Sequence, residues 1–245
     1  MKIDHVHFYV EDAKVWRDWF VHHLGFQAVT DRISSFHTCT EVVKNGGVCF
    51  FLSSPLLPTS PVAEFLGQYP PGVADVAFAV EDVESAIALA QKHGATILQP
   101  IQERQIGTEF LKCGKIAAWG GLTHTLIERS LVFDKGQMTN DNTFTAIDHI
   151  VLNVTVGELE NAVAWYEKIL DFQPQQAFKI KTNRSALHSQ VMVSHNGSVQ
   201  LPINEPASKN SQIQEFLDVN RGPGIQHIAL RTTNLVSAIA KFRAS

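Results

Sequence analysis

Cysteine is scarce in this chain. Its 245 residues include three, Cys39, Cys49 and Cys113. The number is odd, and no two are spaced as CxxC. A disulfide framework and a cysteine-based zinc site are therefore not expected, and a reducing cytoplasm is the setting that such usage suits. Runs of Lys or Arg are also lacking, and the formal net charge is −4. That balance argues against nucleic acid or an anionic membrane as partner. No apolar stretch is long enough to span a bilayer. The N-terminal MKIDHVHFYV starts as a strand pattern rather than as a signal peptide, so a cytoplasmic address is expected. What remains is ordinary globular composition, 44% hydrophobic and 18% charged, at a length that suits one large domain or two small ones.

The chain repeats itself. KIDHVHFYV followed by AKVWRDWFVHHLGF is matched, from Ala146, by AIDHIVLNV followed by GELENAVAWYEKILDF. Asp4 and His5 align with Asp148 and His149, Trp19 and Phe20 with Trp165 and Tyr166, and Phe26 with Phe172. A second segment repeats as well. VADVAFAVEDVESAIALAQKHGA from Val73 resembles IQHIALRTTNLVSAIAKFRAS from Ile225. Each copy opens on an alternating strand and continues into a helix, with apolar Leu159, Val163, Tyr166, Ile169 and Leu170 at helical spacing in the second. Strand-like runs follow at about Phe172–Ile180, Ser185–Val193 and Ser198–Ile203. The reading is an α+β chain of tandem βαβββ units, with domains at 1–130 and 145–245. The polar, poorly periodic stretch 131–144 is expected to link them. The first copy has room for three strands after its second helix, whereas the second copy ends at Ser245 inside the matching helix. The second domain is therefore expected to be incomplete, since an open half would leave strand edges unpaired.

Two histidines occupy comparable places in the second copy, His149 in its first strand and His227 in the strand opening its second half. Neighbouring strands would aim both imidazoles at one cavity, as a mononuclear metal site requires. In the first copy His5 matches His149, but Asp75 stands where His227 would be. The first copy is therefore expected to be a metal-free scaffold. His5, His7, His22, His23, His37, His188 and His195 are read as packed or surface residues. Two histidines alone do not name a metal.

IDHIVLNV with AWYEKILDF, and then PINEP, SQIQEFL and GIQHIAL, resemble the vicinal oxygen chelate superfamily. Within it they are most similar to the 4-hydroxyphenylpyruvate dioxygenase family. The resemblance spans both halves and is densest from Ile147 to Leu230. It implies two vicinal-oxygen-chelate (glyoxalase/bleomycin-resistance-like) domains and a non-haem Fe(II) centre held by two histidines and a carboxylate. His149 and His227 match the histidine ligands. Ser189, Asn204, Gln212 and Gln226 match positions lining the substrate pocket, where amides and a hydroxyl can hydrogen-bond a phenol or keto acid without competing for iron. The family's third ligand, a glutamate, would lie beyond Ser245, and the resemblance implies that Glu205 of PINEP is not the first choice for the iron carboxylate. The implied substrates are 4-hydroxyphenylpyruvate and O2, and the implied products homogentisate and CO2, in tyrosine catabolism or quinone and tocopherol supply. Family members commonly self-associate, so a homo-oligomer is expected. The alternatives are 4-hydroxymandelate synthase, an extradiol dioxygenase and a non-catalytic small-molecule binder of the same superfamily.

Overall fold

The structure is a computed structural model that describes residues 1–29, 35–106, 109–129, 143–181 and 185–244. Of the linker expected at 131–144, residues 131–142 lie outside the described ones. The elements run β1 (Lys2–Tyr9), α1 (Ala13–Leu24), β2 (Gln27–Val29), β3 (Thr38–Asn45), β4 (Val48–Pro55), α2 (Pro61–Gln68), β5 (Gly72–Ala79), α3 (Val83–Lys92), β6 (Ile97–Ile106), β7 (Glu109–Ala117) and β8 (Thr123–Arg129). After a short 3₁₀ turn at Trp119–Gly121 within this first half, the second half gives β9 (Ala146–Asn153), α4 (Leu159–Leu170), β10 (Phe172–Lys181), β11 (Ala186–Ser194), β12 (Gln200–Pro206), α5 (Gln212–Asn220), β13 (Gly224–Arg231) and α6 (Leu235–Ala244). No described helix is long and apolar enough to cross a membrane.

The pairing shows βαβββ repeats of one pattern. In the first repeat the strand order is β2-β3-β4-β1, in the second β6-β7-β8-β5, and in the third β10-β11-β12-β9, where β13 follows at the edge beside β9. In each, the first strand runs parallel to the last, as Val6 opposite Phe50, Asp75 opposite Thr123 and Ile203 opposite Leu152 show. The other pairs are antiparallel. β13 and α6 begin a fourth repeat. The three strand runs expected after α4 are present, with every end within three residues of the expected one.

Local chemistry accounts for the helix limits. Asp12 precedes α1 and its carboxylate accepts from the backbone N–H of Lys14 and Val15 at 2.9 and 3.2 Å, satisfying donors that an isolated helix start would leave open. Gly25 ends α1 at φ 66°, a left-handed conformation that glycine adopts without steric cost. In α4 the buried residues Ala162, Tyr166, Ile169 and Leu170 fall on one face, at the spacing the helical period requires.

Contacts group the elements into two compact units. One gathers α3 and β6–β8 with α4, β10–β12 and α5. The other gathers α1, β2–β4, α2 and α6. The strands β1, β5, β9 and β13 are divided between them. The second of these units has an aromatic core in which Phe20, Phe26 and Phe50 are buried with ring centroids 5.3–5.4 Å apart. The first unit buries Phe78, Tyr166 and Phe172. Each such side chain contributes about 1.5–3 kcal/mol of burial. Inside that apolar region sits His124, fully buried. Its Nδ1 lies 3.0 Å from the Val76 carbonyl and its Nε2 3.1 Å from the Tyr166 hydroxyl. The carbonyl can only accept, so Nδ1 carries the proton and Nε2 accepts from Tyr166.

Candidate functional site

The four opening strands β1, β5, β9 and β13 are each eight residues long, and their fourth residues are His5, Asp75, His149 and His227. Equivalent positions in a repeat share a place on the sheet, so the sequence alone selects these side chains for comparison. In the second half of the chain both are imidazoles. The rings of His149 and His227 stand edge to face, with centroids 5.7 Å apart and planes at 77°. The His227 side chain is exposed, yet partial desolvation pushes its pKa down, and a positive charge on His149 would push it further. Both effects favour neutral imidazole, the form that binds a metal. Among the described residues no group of three His, Cys, Asp or Glu side chains gathers for a metal.

Residues flanking the pair brace these strands. The Arg231 guanidinium, at the end of β13, donates from Nη2 and Nε to Asp148 Oδ1 at 2.6 and 3.1 Å, and the backbone N–H of Thr145 donates to the Arg231 carbonyl at 2.8 Å. The ion pair is largely exposed, and such pairs contribute at most about 1 kcal/mol. Its effect is to hold register.

Along β9, side chains two apart share a face, so Asn153 lies on the face of His149. Asn153 is paired with Asn204 of β12, and Asn204 with Ser189 of β11. Ser189, Asn204 and Asn153 thus form one cross-strand row, and all three are buried. Asn204 Nδ2 donates to Asn153 Oδ1 at 3.3 Å, while the Nδ2 of Asn153, completely buried, has no hydrogen-bond partner. Leaving such a donor unpaired costs about 1–3 kcal/mol. The reading of the sequence selected Ser189 and Asn204 and missed Asn153. Its signal was available: Asn153 is four residues beyond His149 in an alternating strand.

Gln212 lies at the first residue of α5 and is exposed. It follows the cap Ser211, whose hydroxyl accepts from Ile213 N–H at 3.2 Å. Gln226 is half-buried one residue before His227. The cross-strand row is made without either glutamine. Glu205 has other work. Its Oε2 accepts from the backbone N–H of Gly157 and Leu159 at 2.9 and 3.2 Å, and its Oε1 lies 3.3 Å from His188 Nδ1. The residue at the start of α4, Glu158, makes no side-chain cap. Glu205 supplies that cap from β12, and its position next to Asn204 puts it on the opposite face from the row.

The other repeats explain why this one stands out. The positions matching Asn153, Asn204 and Ser189 are Tyr9, Ser53 and Thr40 in the first repeat and Ala79, Ile127 and Cys113 in the second. The second repeat's set is apolar, and its Ile127 and Cys113 belong to a small hydrophobic cluster with Ala77 and Leu111. Asp75 there is buried against Lys115 Nζ at 3.3 Å and accepts from the Thr123 and Thr125 hydroxyls. In the first repeat the hydroxyls bond one another at 2.6 Å, His7 Nε2 lies 2.7 Å from Ser53 Oγ, and His5 is stacked on Phe51 at 3.9 Å. Protein groups fill those positions in the first half.

Comparison with known proteins agrees with this architecture. Models of the Glyoxalase/Bleomycin resistance protein/Dioxygenase superfamily match residues 4–111 and 146–245. A protein of Coccidioides posadasii named 4-hydroxyphenylpyruvate dioxygenase is 37% identical over 98% of this chain and 69% of its own length. A protein of that name from Caenorhabditis elegans is 34% identical over 98% of this chain and 68% of its own. Among solved structures, a variant of 4-hydroxymandelate synthase from Streptomyces coelicolor shares the fold with a TM-score of 0.86, at 22% identity over 99% of this chain and 74% of that one. Tandem βαβββ repeats, two facing imidazoles at equivalent strand positions and relatives of this identity place the chain together: it belongs to the 4-hydroxyphenylpyruvate dioxygenase family of the vicinal oxygen chelate superfamily.

Proposed function

We propose that this chain carries the substrate pocket and two of the iron ligands of an enzyme that converts 4-hydroxyphenylpyruvate and O2 to homogentisate and CO2. The observation that supports it most is the pair His149 and His227, 5.7 Å apart, with a buried amide and hydroxyl row further along the same sheet. The donor set fits a divalent first-row metal such as Fe(II): two imidazoles, no thiolate, and, as the family resemblance implies, a carboxylate as third ligand. Bound there, Fe(II) would supply the redox chemistry and hold keto acid and O2 side by side.

The protein's own part is binding and orientation. A 2-oxo acid is rich in acceptors, and the orphaned Asn153 Nδ2 is a donor in need of one. The Asn204 amide and Ser189 hydroxyl, on the adjoining strands, add a donor and a two-way group. The row would fix the substrate's polar end while the histidines face the reacting carbons. Gln226 next to His227, and Gln212 at the start of α5, would complete the polar lining once substrate is bound.

The test is Fe(II)-dependent oxygen uptake with 4-hydroxyphenylpyruvate and identification of the product, on the full-length protein and on the 245-residue chain. Homogentisate formation that is lost in His149→Ala and in His227→Ala supports the reading. 4-Hydroxymandelate as product would move the protein to the synthase. Ligand binding without oxygen uptake from either chain would make it a binding protein.

A further inference from the structure

Pro223 begins the run into β13, four residues ahead of His227, and the turn around it is held from two sides. From within, Arg221 closes α5 in the left-handed conformation at φ 61°, and Gly222 follows at φ 140°. The Asn220 side chain then reaches over the turn, and its Nδ2 donates to the carbonyls of both Gly222 and Pro223 at 3.0 Å. The strap is close: a Cβ on Gly224 would lie 2.6 Å from that same Nδ2. From outside, the turn rests on Gly120, in the Trp119–Gly121 turn between β7 and β8. A Cβ on Gly120 would lie 2.4 Å from Pro223 Cβ and 3.2 Å from its Cγ. Gly120 also has φ 66°, so the position requires glycine for its backbone and for its neighbour.

We infer that Gly120 and Asn220 are positioning residues for His227: together they clamp Pro223 and so set where β13 begins and how far its imidazole stands from His149. The clamp comes from two parts of the sequence that lie 100 positions apart. Gly120 belongs to the second repeat, which has no facing imidazoles of its own, and Asn220 to the end of α5. A β13 start displaced by the extra methyl at Gly120 would carry the histidine with it, because no flexible linker lies between Pro223 and His227. Packed interiors pass on displacements of this kind rather than absorbing them. The inference rests on the proposed function only for what His227 is for; the placement itself is a property of the apo chain.

Three variants test it. Gly120→Ala adds the methyl that meets Pro223. Gly94→Ala imposes comparable backbone strain at φ 89° with nothing within 4 Å. Asn220→Asp keeps shape but removes the donors to both carbonyls. Two readouts are taken on the 245-residue chain: the nuclear Overhauser contact between the His149 and His227 rings without metal, and Co(II) affinity measured by calorimetry, with His149→Ala as the reference for binding elsewhere. The expected result is loss of the ring contact and at least tenfold weaker Co(II) binding in Gly120→Ala, a smaller loss of the same kind in Asn220→Asp, and neither in Gly94→Ala. Pro223→Gly combined with Gly120→Ala should recover part of the ring contact. Equal losses in Gly120→Ala and Gly94→Ala, or an unchanged ring contact in a folded Gly120→Ala, would overturn the inference. If Gly120→Ala does not fold, an unchanged contact in Asn220→Asp overturns it alone. A wild-type chain that shows the ring contact but binds no Co(II) would count against the metal reading, and the contact would still decide the clamp.

Discussion

Asn204 donates to Asn153 across β12 and β9 at 3.3 Å, and the second proton-bearing nitrogen of the pair, Asn153 Nδ2, meets no acceptor. A buried amide left half-satisfied is costly on its own, and it is well placed to meet a ligand oxygen on the face of His149. Replacing Asn153 by the similarly shaped Leu removes the orphaned donor but also the acceptor for Asn204. The two effects oppose each other, so stability to urea should change by less than about 1 kcal/mol. Substrate binding loses a hydrogen bond with nothing to offset it, and KM for 4-hydroxyphenylpyruvate should rise about tenfold, equivalent to roughly 1.4 kcal/mol. An unchanged KM would mean that the substrate does not use this amide.

Glu205 shows how a site-like motif can serve the fold. Its carboxylate is taken up by two backbone N–H groups at the start of α4 and by His188. Glu205→Ala should therefore cost about 1–2 kcal/mol of unfolding free energy, the worth of a helix cap, and should leave Co(II) binding within about twofold of wild type. Glu205→Gln should fall between, because an amide oxygen can still accept from one N–H. A Glu205→Gln chain of normal stability that no longer binds Co(II) would make Glu205 a metal ligand instead.

The repeat was legible in the sequence because it preserves what repeats physically. Phe20 and Tyr166, at matching positions of the two copies, are both buried, and so are Phe26 and Phe172. β12 was legible too, since Leu201 and Ile203 alternate with the less buried Gln200 and Pro202. The pairing that brings His149 beside His227 required topology: 78 positions separate them in the chain, and only the edge position of β13 beside β9 closes that distance. Asn153 was missed because a lone asparagine at a strand end reads as turn chemistry. Gly120 was missed because WGG looks like an ordinary turn until the neighbour of its missing Cβ is known to be Pro223.

Asp75, at the strand position that carries His227 in the later copy, is an internal partner rather than a vestigial ligand. Itself buried, it meets the partly exposed Lys115 at 3.3 Å and two threonine hydroxyls. Asp75→Ala would take a carboxylate from beside the partly exposed Lys115 ammonium and leave both hydroxyls short of an acceptor. A loss of about 1–3 kcal/mol is expected, the cost of leaving buried donors without an acceptor, measured by urea unfolding. Asp75→Asn keeps the threonine bonds and should lose less. If Asp75→Ala proved as stable as wild type, the cluster would be decorative, and the first copy's departure from the His pattern would need another cause.

His124 makes the chain sensitive to acid. Burial pushes its pKa below the ordinary value of 6.5, against smaller upward pulls from the Val76 carbonyl bond and Asp75. Burial also raises the Tyr166 pKa, so the phenol keeps its proton and donates to Nε2 throughout the neutral range. The folded chain thus holds a neutral imidazole that the unfolded chain would protonate. Because the unfolded state binds more protons, stability rises with pH across this interval. The contribution is fully present above about pH 6.5 and is lost as pH falls from there toward the depressed folded pKa. Urea unfolding at pH 7.5, 6.5 and 5.5 should show that decline in the wild type. The double variant His124→Leu with Tyr166→Phe removes the imidazole and the hydroxyl left without it, so its decline should be shallower by the His124 share. Tyr166→Phe alone should be less stable at every pH by about 1–2 kcal/mol, because Nε2 then lacks a donor. Identical slopes for wild type and double variant would mean that the other histidines carry all the acid sensitivity.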